Sequence, residues 1–442
     1  MRQERESTYE RSAPKQRPVR ATWGKAFPDG TLLELAVSAG KLRLLYWNGQ
    51  RAKLRNQFAR AGRTYVPAAV NASTLRAVRF PSETKDYGST ELLFRRILDV
   101  LKQFFPLPDR ELSLVAHWIL ASWFPDVLPM APTLVISGPS PAYVARFLRL
   151  LRCLCRRGLR LAELNLAGLC ALPMKLQPTL LVEQTTLTRS MSGLFRASSS
   201  RGVYISRSGD FLDLHCVQAL FSARNGFDAI ATESALRVAV VPAESGGPSL
   251  SERAEQEIAA EFQPLLLEYR LRNRRAVSQS VFDVPEFTPG LRDLARGLGA
   301  AIVDAPELSG RLVTLLGPQD AHARACRTTL PEVAIITVAL ALVHEAKVKQ
   351  MLVKGFAQLV NAALRANGEI IEYSPEEVGW RLSRLGLYTH RMVGGNGIRF
   401  DRDFSRSVHD LARNFGVEMV PGSPACPDCP DANKVTELKG LL

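Results

Sequence analysis

The sequence contains no apolar run long enough to cross a bilayer. Its longest apolar stretch, Val333 to Val343, falls well short of the roughly 20 residues that a transmembrane helix needs. Residues 1–24 are charged, contain proline and are poor in aliphatic side chains, so they do not resemble a signal peptide. We therefore expect a cytoplasmic protein with no membrane partner.

Cysteine and histidine are scarce and scattered. Seven cysteines among 442 residues do not form a disulfide framework. Cys426 and Cys429 form a C-x-x-C pair of unknown role, but a zinc ribbon needs four ligands. The six histidines lack the spacing of a metalloprotease or of a Ser/His/Asp centre, so no metal site is predicted. Five cysteines in apolar or mixed runs are predicted to be reduced core thiols: Cys153, Cys155, Cys170, Cys216 and Cys326.

Acidic residues are outnumbered by basic ones. The chain has 57 Lys and Arg against 43 Asp and Glu, which gives a formal net charge of +14. Arginine is spread over the whole length, and such an excess favours an anionic partner, most often nucleic acid. A generally arginine-rich composition is the alternative explanation.

Composition and periodicity divide the chain into six segments. Alternating strand-like and helical runs over residues 132–242 predict an α/β fold with a parallel sheet. The segments are a disordered basic arm (1–25), a small β-rich domain (26–85), an α/β core (86–245), a helical lid (246–330), a winged-helix domain (331–419) and a flexible tail (420–442).

The most informative stretch is PTLVISGPSPAYVARFLRL at 132–150. It has the strand–loop–helix layout of the phosphate-binding loop G-x-x-x-x-G-K-[ST]. Counted from Gly138, the second glycine falls on Tyr143, the lysine on Val144 and the hydroxyl residue on Ala145. Valine and alanine can neither neutralise phosphate charge nor ligate Mg²⁺. On spacing alone, an ordinary strand–turn–helix that never held a nucleotide is the simpler interpretation.

A second degenerate element is PTLLVEQ at 178–184. A strand of this kind in an ATPase ends in Asp-Glu, which hold Mg²⁺ and polarise the attacking water. Here the pair is Glu183-Gln184. Glutamine cannot act as a base, and Glu183 is one methylene longer than aspartate.

The C-terminal module has strong local signals. Ser374 to Glu377 form a capping box that starts a helix over 375–385. Two short strands around the Gly-Gly-Asn-Gly turn at 394–397 and a helix over 402–415 follow, and this order predicts a winged helix. Its candidate DNA-binding residues are Arg381, Arg384, His390, Arg391, Arg399, Arg402 and Arg406. The alternative is a protein-binding winged helix whose arginines are solvated.

Two further basic runs are less specific. Arg270, in the run EYRLRNRR, is expected at a solvated helix terminus. Arg156, Arg157 and Arg160 follow the helix after the loop, where they fit either a nucleic-acid channel or a surface turn.

The segment 29–417 resembles the helicase-like AAA+ ATPases of phages and mobile elements, the primase–helicase group. The resemblance rests on HWIL at 117–120, PTLVISGP, FLRLLRCLCRR, PTLLVEQ and IATESALRVAVV at 230–241. It implies an AAA+ core, and it places Ser234 where the family carries an arginine finger. Every nucleotide-handling position departs from the family pattern, so the resemblance implies a motor scaffold without motor chemistry.

From these features we expect a DNA-binding, helicase- or primase-associated protein that does not hydrolyse ATP. Binding of ATP and Mg²⁺ is not expected. We expect the protein to bind DNA and to form a homo- or hetero-oligomer with AAA+-like subunits. Two alternatives stay open: an active ATPase or helicase with unconventional site residues, and a winged-helix regulator whose core only oligomerises.

Overall fold

A computed structural model describes residues 17–183, 189–207, 210–222, 234–242, 248–328, 330–344 and 348–417. These residues form two compact units, one ending at Gly317 and the other beginning at Pro318. No helix in the described ranges is long and apolar enough to cross a membrane.

The first unit begins with short strands and one short helix. They are β1 (Val19–Thr22), β2 (Lys25–Ala26), β3 (Leu32–Ser38), β4 (Lys41–Trp47), β5 (Ala52–Arg55), β6 (Phe58–Arg60), β7 (Arg63–Pro67) and α1 (Ala72–Ala77). Strands β2 to β5 form an antiparallel sheet in chain order, while β1, β7 and β6 form a separate three-stranded sheet. Strand β3 is buried from Leu32 to Ala36, so Glu34 at its centre is buried too.

Two helices lead to the central sheet. Helix α2 (Thr90–Phe104) starts at Ser89, whose side chain accepts a hydrogen bond from the backbone N–H of Leu92. Helix α3 (Asp109–Ala121) is buried along almost its whole length, from Leu112 onwards.

A five-stranded parallel sheet follows, which confirms the predicted α/β class. Its strands lie in the order β14-β8-β13-β10-β9, with every neighbouring pair parallel. The elements are β8 (Thr133–Ser137), α4 (Pro141–Leu154), β9 (Gly158–Leu161), α5 (Leu166–Ala171), a 3₁₀ turn (Met174–Leu176), β10 (Thr179–Val182), α6 (Arg189–Ser199), the hairpin β11 (Tyr204–Arg207) and β12 (Asp210–Asp213), β13 (Gln218–Ser222) and β14 (Ala235–Ala239).

Three helices complete the first unit: α7 (Glu252–Ser278), α8 (Pro289–Ala300) and α9 (Pro306–Thr328), the last of which runs across the boundary at Gly317. Leu33 and Leu44 of the N-terminal sheet share an apolar cluster with Leu159 and Leu180 of the parallel sheet. The N-terminal strands therefore pack on the parallel sheet. The division of the chain into six segments stays a prediction.

The second unit contains α10 (Pro331–His344), β15 (Gln350–Leu352), α11 (Val353–Ala366), α12 (Pro375–Arg384), β16 (His390–Met392), β17 (Gly395–Arg399) and α13 (Arg402–Phe415). The capping box of Ser374 and Glu377 is confirmed. The predicted turn is wrong by two residues: the hairpin turns at Val393 and Gly394, and Gly395 already begins β17. Strand β15, which pairs with β17, has no counterpart in the sequence prediction.

The structure confirms buried thiols at three of the five positions predicted for the core. Cys153, Cys155 and Cys216 are buried and Cys170 is half-buried, all four as free thiols. Burial raises the pKa of Cys153 to about 11 and that of Cys216 to about 12. The side chain of Cys326 and the pair Cys426 and Cys429 lie outside the described residues.

Candidate functional site

The loop after β8 is shorter than a phosphate-binding loop. Strand β8 ends at Ser137 and α4 begins at Pro141, so Tyr143 and Val144 already lie inside the helix. The side chain of Ser140 caps α4 by accepting from the N–H of Tyr143 at 3.3 Å, and the Ser140 carbonyl accepts from the N–H of Val144 at 3.1 Å. Pro139 in the loop and Pro141 at the start of α4 have no N–H. Few backbone donors are left for a phosphate.

Gly138 is explained by packing. A Cβ added there would lie 2.4 Å from the carbonyl oxygen of Val240, which follows β14. The N–H of Val240 also donates to the carbonyl of Ser137 at 2.7 Å. Close approach of two backbones therefore requires glycine here, with or without a bound ligand.

The three substituted motif positions serve the interior of the unit. Val144 is fully buried in the main apolar cluster, and Ala145 is half-buried. Tyr143 is half-buried, and its ring packs against the Phe105 ring in a T-shaped arrangement with the two ring centroids 5.1 Å apart. The guanidinium of Arg146 lies 4.9 Å from the same tyrosine ring. These contacts account for the ring of Tyr143 and for Val144 without a nucleotide, while the Tyr143 hydroxyl is buried and has no hydrogen-bond partner among the described residues.

The structure brings two of the predicted nucleotide-site regions to one edge of the sheet. Glu183 follows β10, which is separated from β8 by β13, so it lies at the same carboxyl edge as Gly138. Its carboxylate accepts a hydrogen bond from Nε of Arg160 on β9. Ser234 directly precedes β14 and therefore lies at the opposite edge, while Gln184 lies outside the described residues.

Most of the predicted DNA-binding side chains of the second unit are exposed. Within the described residues, no ion pair involves the exposed arginines Arg384, Arg391, Arg399, Arg402 and Arg406. Arg384 lies 4.8 Å from the ring of Trp380, which is 58% exposed and thus not a core residue. Arg381 differs, because it pairs with Glu332 at 2.9 Å and covers the ring of Tyr373 at 4.2 Å.

The register of the hairpin divides its basic residues between two faces. His390 pairs with Gly397 and Arg391 with Asn396. Since side chains alternate along a strand, His390 and Arg399 share one face and Arg391 lies on the other. The hairpin therefore presents positive charge on both sides.

Sequence reasoning missed a buried charge cluster in the first unit. Glu34 is 5% exposed, and both of its carboxylate oxygens are occupied. Nη2 of Arg157 lies 2.9 Å from Oε2, Nη2 of Arg156 lies 3.1 Å from Oε2, and Nε of Arg270 lies 2.7 Å from Oε1. Burial alone would raise the pKa of Glu34, but Arg156, Arg270 and Arg157 outweigh it and lower the pKa to about 2.

Asp126 extends this cluster. Its Oδ1 accepts from Nη1 of Arg270 and its Oδ2 from Nε of Arg274, each at 2.6 Å. Burial again opposes ionisation, yet the neighbouring guanidinium groups, Arg270 first, hold the pKa of Asp126 well below its usual range. Four guanidinium groups thus surround two carboxylates, which leaves an excess of positive charge.

These contacts correct three sequence expectations. Arg156 and Arg157 are buried, so they form neither a channel wall nor an exposed turn. Arg270 is 3% exposed and is not at a solvated helix terminus. The available signal was Glu34 itself, a carboxylate in the middle of the apolar run GTLLELAV, because a buried charge requires a partner.

The chain is similar to several solved structures. No protein-family model matches the chain, and no curated protein matches it. Among solved structures it is similar to the apo C-terminal region of NrS-1, with 10% identity, a TM-score of 0.35, and coverage of 83% of this chain and 96% of that one. A full-length MCM homolog from Methanopyrus kandleri gives 11% identity and a TM-score of 0.30 over 64% of this chain and 73% of its own.

The Drosophila ORC structure bound to DNA gives 16% identity and a TM-score of 0.20 over 78% of this chain and 96% of its own. At these TM-scores and identities, the likenesses assign neither a family nor a function to the chain.

Proposed function

We propose that this protein is a DNA-binding, AAA+-like protein of the helicase- or primase-associated kind that does not hydrolyse ATP. The observation that carries the DNA-binding part is the set of exposed arginines in the second unit that have no ion pair within the described residues. Exposed guanidinium groups that form no ion pair are suited to phosphate contacts.

The order of elements in the second unit supports a winged helix. Helix α10, strand β15, helices α11 and α12 and the hairpin β16–β17 follow each other as they do in winged-helix modules. In such a module α12 enters a groove and the hairpin contacts the adjacent backbone. Trp380 and Arg384 lie on the exposed side of α12, and His390, Arg391 and Arg399 lie on the hairpin.

The absence of ATP hydrolysis is supported by the loop after β8. Its helix starts before the motif positions, its serine caps the helix, and the lysine position is a buried valine. The strand order β14-β8-β13-β10-β9, with one strand between the loop strand and the acidic strand, is typical of AAA+ cores. The scaffold would then serve assembly, within a mobile-element replication apparatus.

DNA binding is tested by fluorescence anisotropy with a short duplex at low salt. We expect the double variant Arg391→Ala/Arg399→Ala to bind several-fold more weakly than the unchanged protein, because two phosphate contacts are lost. The matched control is Arg365→Ala, which removes an exposed arginine of the same unit that is already paired with Glu372. Absence of DNA binding at low salt would refute the proposal.

ATP turnover in the presence of DNA separates the proposal from an active helicase, since we expect none above background. Sedimentation then separates a ring subunit from a regulator whose core only forms dimers. Measured turnover that is lost on mutating Glu183 would favour the active enzyme instead.

A further inference from the structure

A cavity of about 670 Å³ lies in the first unit, next to the buried charge cluster. Its walls come from β1 to β3, from the 3₁₀ turn before β10, from β12 and from α7. This volume lies within the range of pockets that hold cofactor-sized molecules. The cavity is separate from the loop after β8, none of whose residues line it.

The walls of the cavity carry more positive than negative charge. Six cationic side chains line it against three carboxylates, Glu34, Asp126 and Asp213. The first two carboxylates are already engaged by arginines of the cluster. The six cationic side chains are Arg20, Lys25, Arg156, Lys175, Arg270 and Arg274.

Several of these cations keep donors for a ligand. Arg274 donates from Nε to Asp126, and its two terminal nitrogens have no partner among the described residues. Lys175 is exposed and has no carboxylate partner among the described residues. Arg156, only 4% exposed, has one terminal nitrogen, Nη1, with no hydrogen-bond partner in the described part of the chain. A buried, unsatisfied guanidinium nitrogen is unfavourable unless a partner is supplied.

An aromatic side chain stands among these charges. Phe211 on β12 lines the cavity and is 76% exposed. An exposed phenylalanine beside unpaired cations suits a ligand with both a flat ring and an anionic group, because base–aromatic stacking is favourable. Guanidinium forks suit phosphate oxygens in particular.

We propose that this cavity binds a small phosphate-bearing ligand of nucleotide size, with its phosphates toward Arg274 and Lys175 and its ring against Phe211. This site goes beyond the proposed function, which places DNA on the second unit. The protein would thus hold a nucleotide at a place other than the loop after β8.

The test is calorimetric titration of the full chain at low salt with EDTA, using pyrophosphate and then ATP. We expect both to bind, and Lys175→Glu to weaken both about tenfold, because a rim charge close to the phosphates is reversed. Lys53→Glu, the same charge change on exposed strand β5 away from the cavity, serves as the control and should bind as the unchanged protein does.

Phe211→Ala tests the position of the ring. It should weaken ATP about tenfold and leave pyrophosphate unchanged. The proposal fails if Phe211→Ala weakens ATP and pyrophosphate equally. It also fails if Lys175→Glu and Lys53→Glu have equal effects on affinity, or if neither ligand binds.

A single-stranded oligonucleotide distinguishes this site from DNA binding. We expect Lys175→Glu to bind the oligonucleotide as tightly as the unchanged protein does. We expect Arg391→Ala/Arg399→Ala to bind pyrophosphate as tightly as the unchanged protein does. If Lys175→Glu weakens only the oligonucleotide, the cavity is a strand-binding site and the small-ligand proposal fails, while the DNA-binding proposal stands.

Discussion

Glu34 lies at the centre of β3, where its neighbours along the strand are apolar and buried. An isolated carboxylate would be neutral in such a place. It is ionised because Arg156, Arg157 and Arg270 reach it from α7 and from the turn after α4. This residue therefore ties the N-terminal strands to the core by charge as well as by apolar contact.

Replacing Glu34 with glutamine should be severely destabilising. Glu34→Gln leaves three buried guanidinium groups without their shared carboxylate, and breaking a buried ion pair lowers the free energy of unfolding by about 3–5 kcal/mol. Urea denaturation measures the change. The control Glu261→Gln removes a surface pair with Arg96 and should lower stability by less than about 1 kcal/mol. Similar losses for the two variants would contradict the buried role of Glu34.

The same carboxylate predicts a pH dependence. The folded-state pKa of Glu34 is lowered from 4.5 to about 2, so the folded protein holds this proton more weakly than the unfolded chain. Ionised Glu34 therefore contributes roughly 3 kcal/mol to the free energy of unfolding. This contribution is fully present above about pH 5 and is lost as the pH falls toward 2. Unfolding free energies measured from pH 7 to 3 should fall less steeply in Glu34→Gln than in the unchanged protein. Parallel curves would exclude Glu34 as the source.

At the scale of elements, the β8–α4 connection distinguishes a structural turn from a ligand loop. Three residues, Gly138 to Ser140, connect the strand to the helix. The capping serine and the two prolines use or remove the N–H groups that a phosphate would need. The connection is therefore specified by helix capping and close packing.

Restoring the motif lysine should not restore motor chemistry. Val144→Lys places an ammonium group inside the main apolar cluster, so we expect the free energy of unfolding to fall by about 3 kcal/mol or more. Ala145→Lys, at the half-buried next position, should be tolerated better. Thermal unfolding and ATP turnover measure both variants. A stable, ATP-hydrolysing Val144→Lys protein would show that the loop can still adopt the nucleotide-binding form.

Gly138→Ala should also destabilise the protein, by about 1–3 kcal/mol, because the new methyl group meets the carbonyl oxygen of Val240 at 2.4 Å. The control is Gly310→Ala in α9, where a Cβ meets nothing within 4 Å. Because alanine favours helix more than glycine does, Gly310→Ala should raise the free energy of unfolding by up to about 1 kcal/mol. Chemical denaturation distinguishes the two, and an unchanged stability of Gly138→Ala would indicate that the loop can move aside.

At the scale of the whole molecule, arginine side chains are used in two ways. In the first unit, arginines such as Arg156, Arg157 and Arg270 neutralise buried carboxylates. In the second unit, exposed arginines such as Arg391 and Arg399 have no ion pair within the described residues. Residues 318–442 hold 15 Lys and Arg against 14 Asp and Glu, so these arginines form a local basic surface, and almost all of the net excess lies in residues 1–317.

DNA affinity should consequently depend steeply on salt. A plot of log affinity against log salt concentration should be linear with a negative slope. The slope should be less steep by roughly 2 in Arg391→Ala/Arg399→Ala, about one unit for each lost phosphate contact. Anisotropy titrations at several salt concentrations measure the slopes. Identical slopes for the variant and the unchanged protein would remove these two residues from the DNA interface.

The sequence by itself determined the features that depend on near neighbours in the chain. Helix starts such as Ser374, the parallel sheet and the helix after Asp401 follow from capping, periodicity and composition, which act over a few residues. The loss of the motif lysine at Val144 was also readable directly. Strand β15 was missed because its partner strand β17 is distant in sequence. The turn at Val393 was misplaced because Gly394, Gly395 and Gly397 all suit a turn, and the local pattern does not fix the pairing register.

Only the tertiary structure decided which charges are buried. Arg156 and Arg270 look like surface residues in sequence, because each lies in a run rich in arginine. Their partner Glu34 is more than 100 residues away along the chain, and only folding brings the groups together. The free energy of a charge is set by its surroundings in space, and for that reason local pattern could predict the scaffold but not the buried cluster or the cavity beside it.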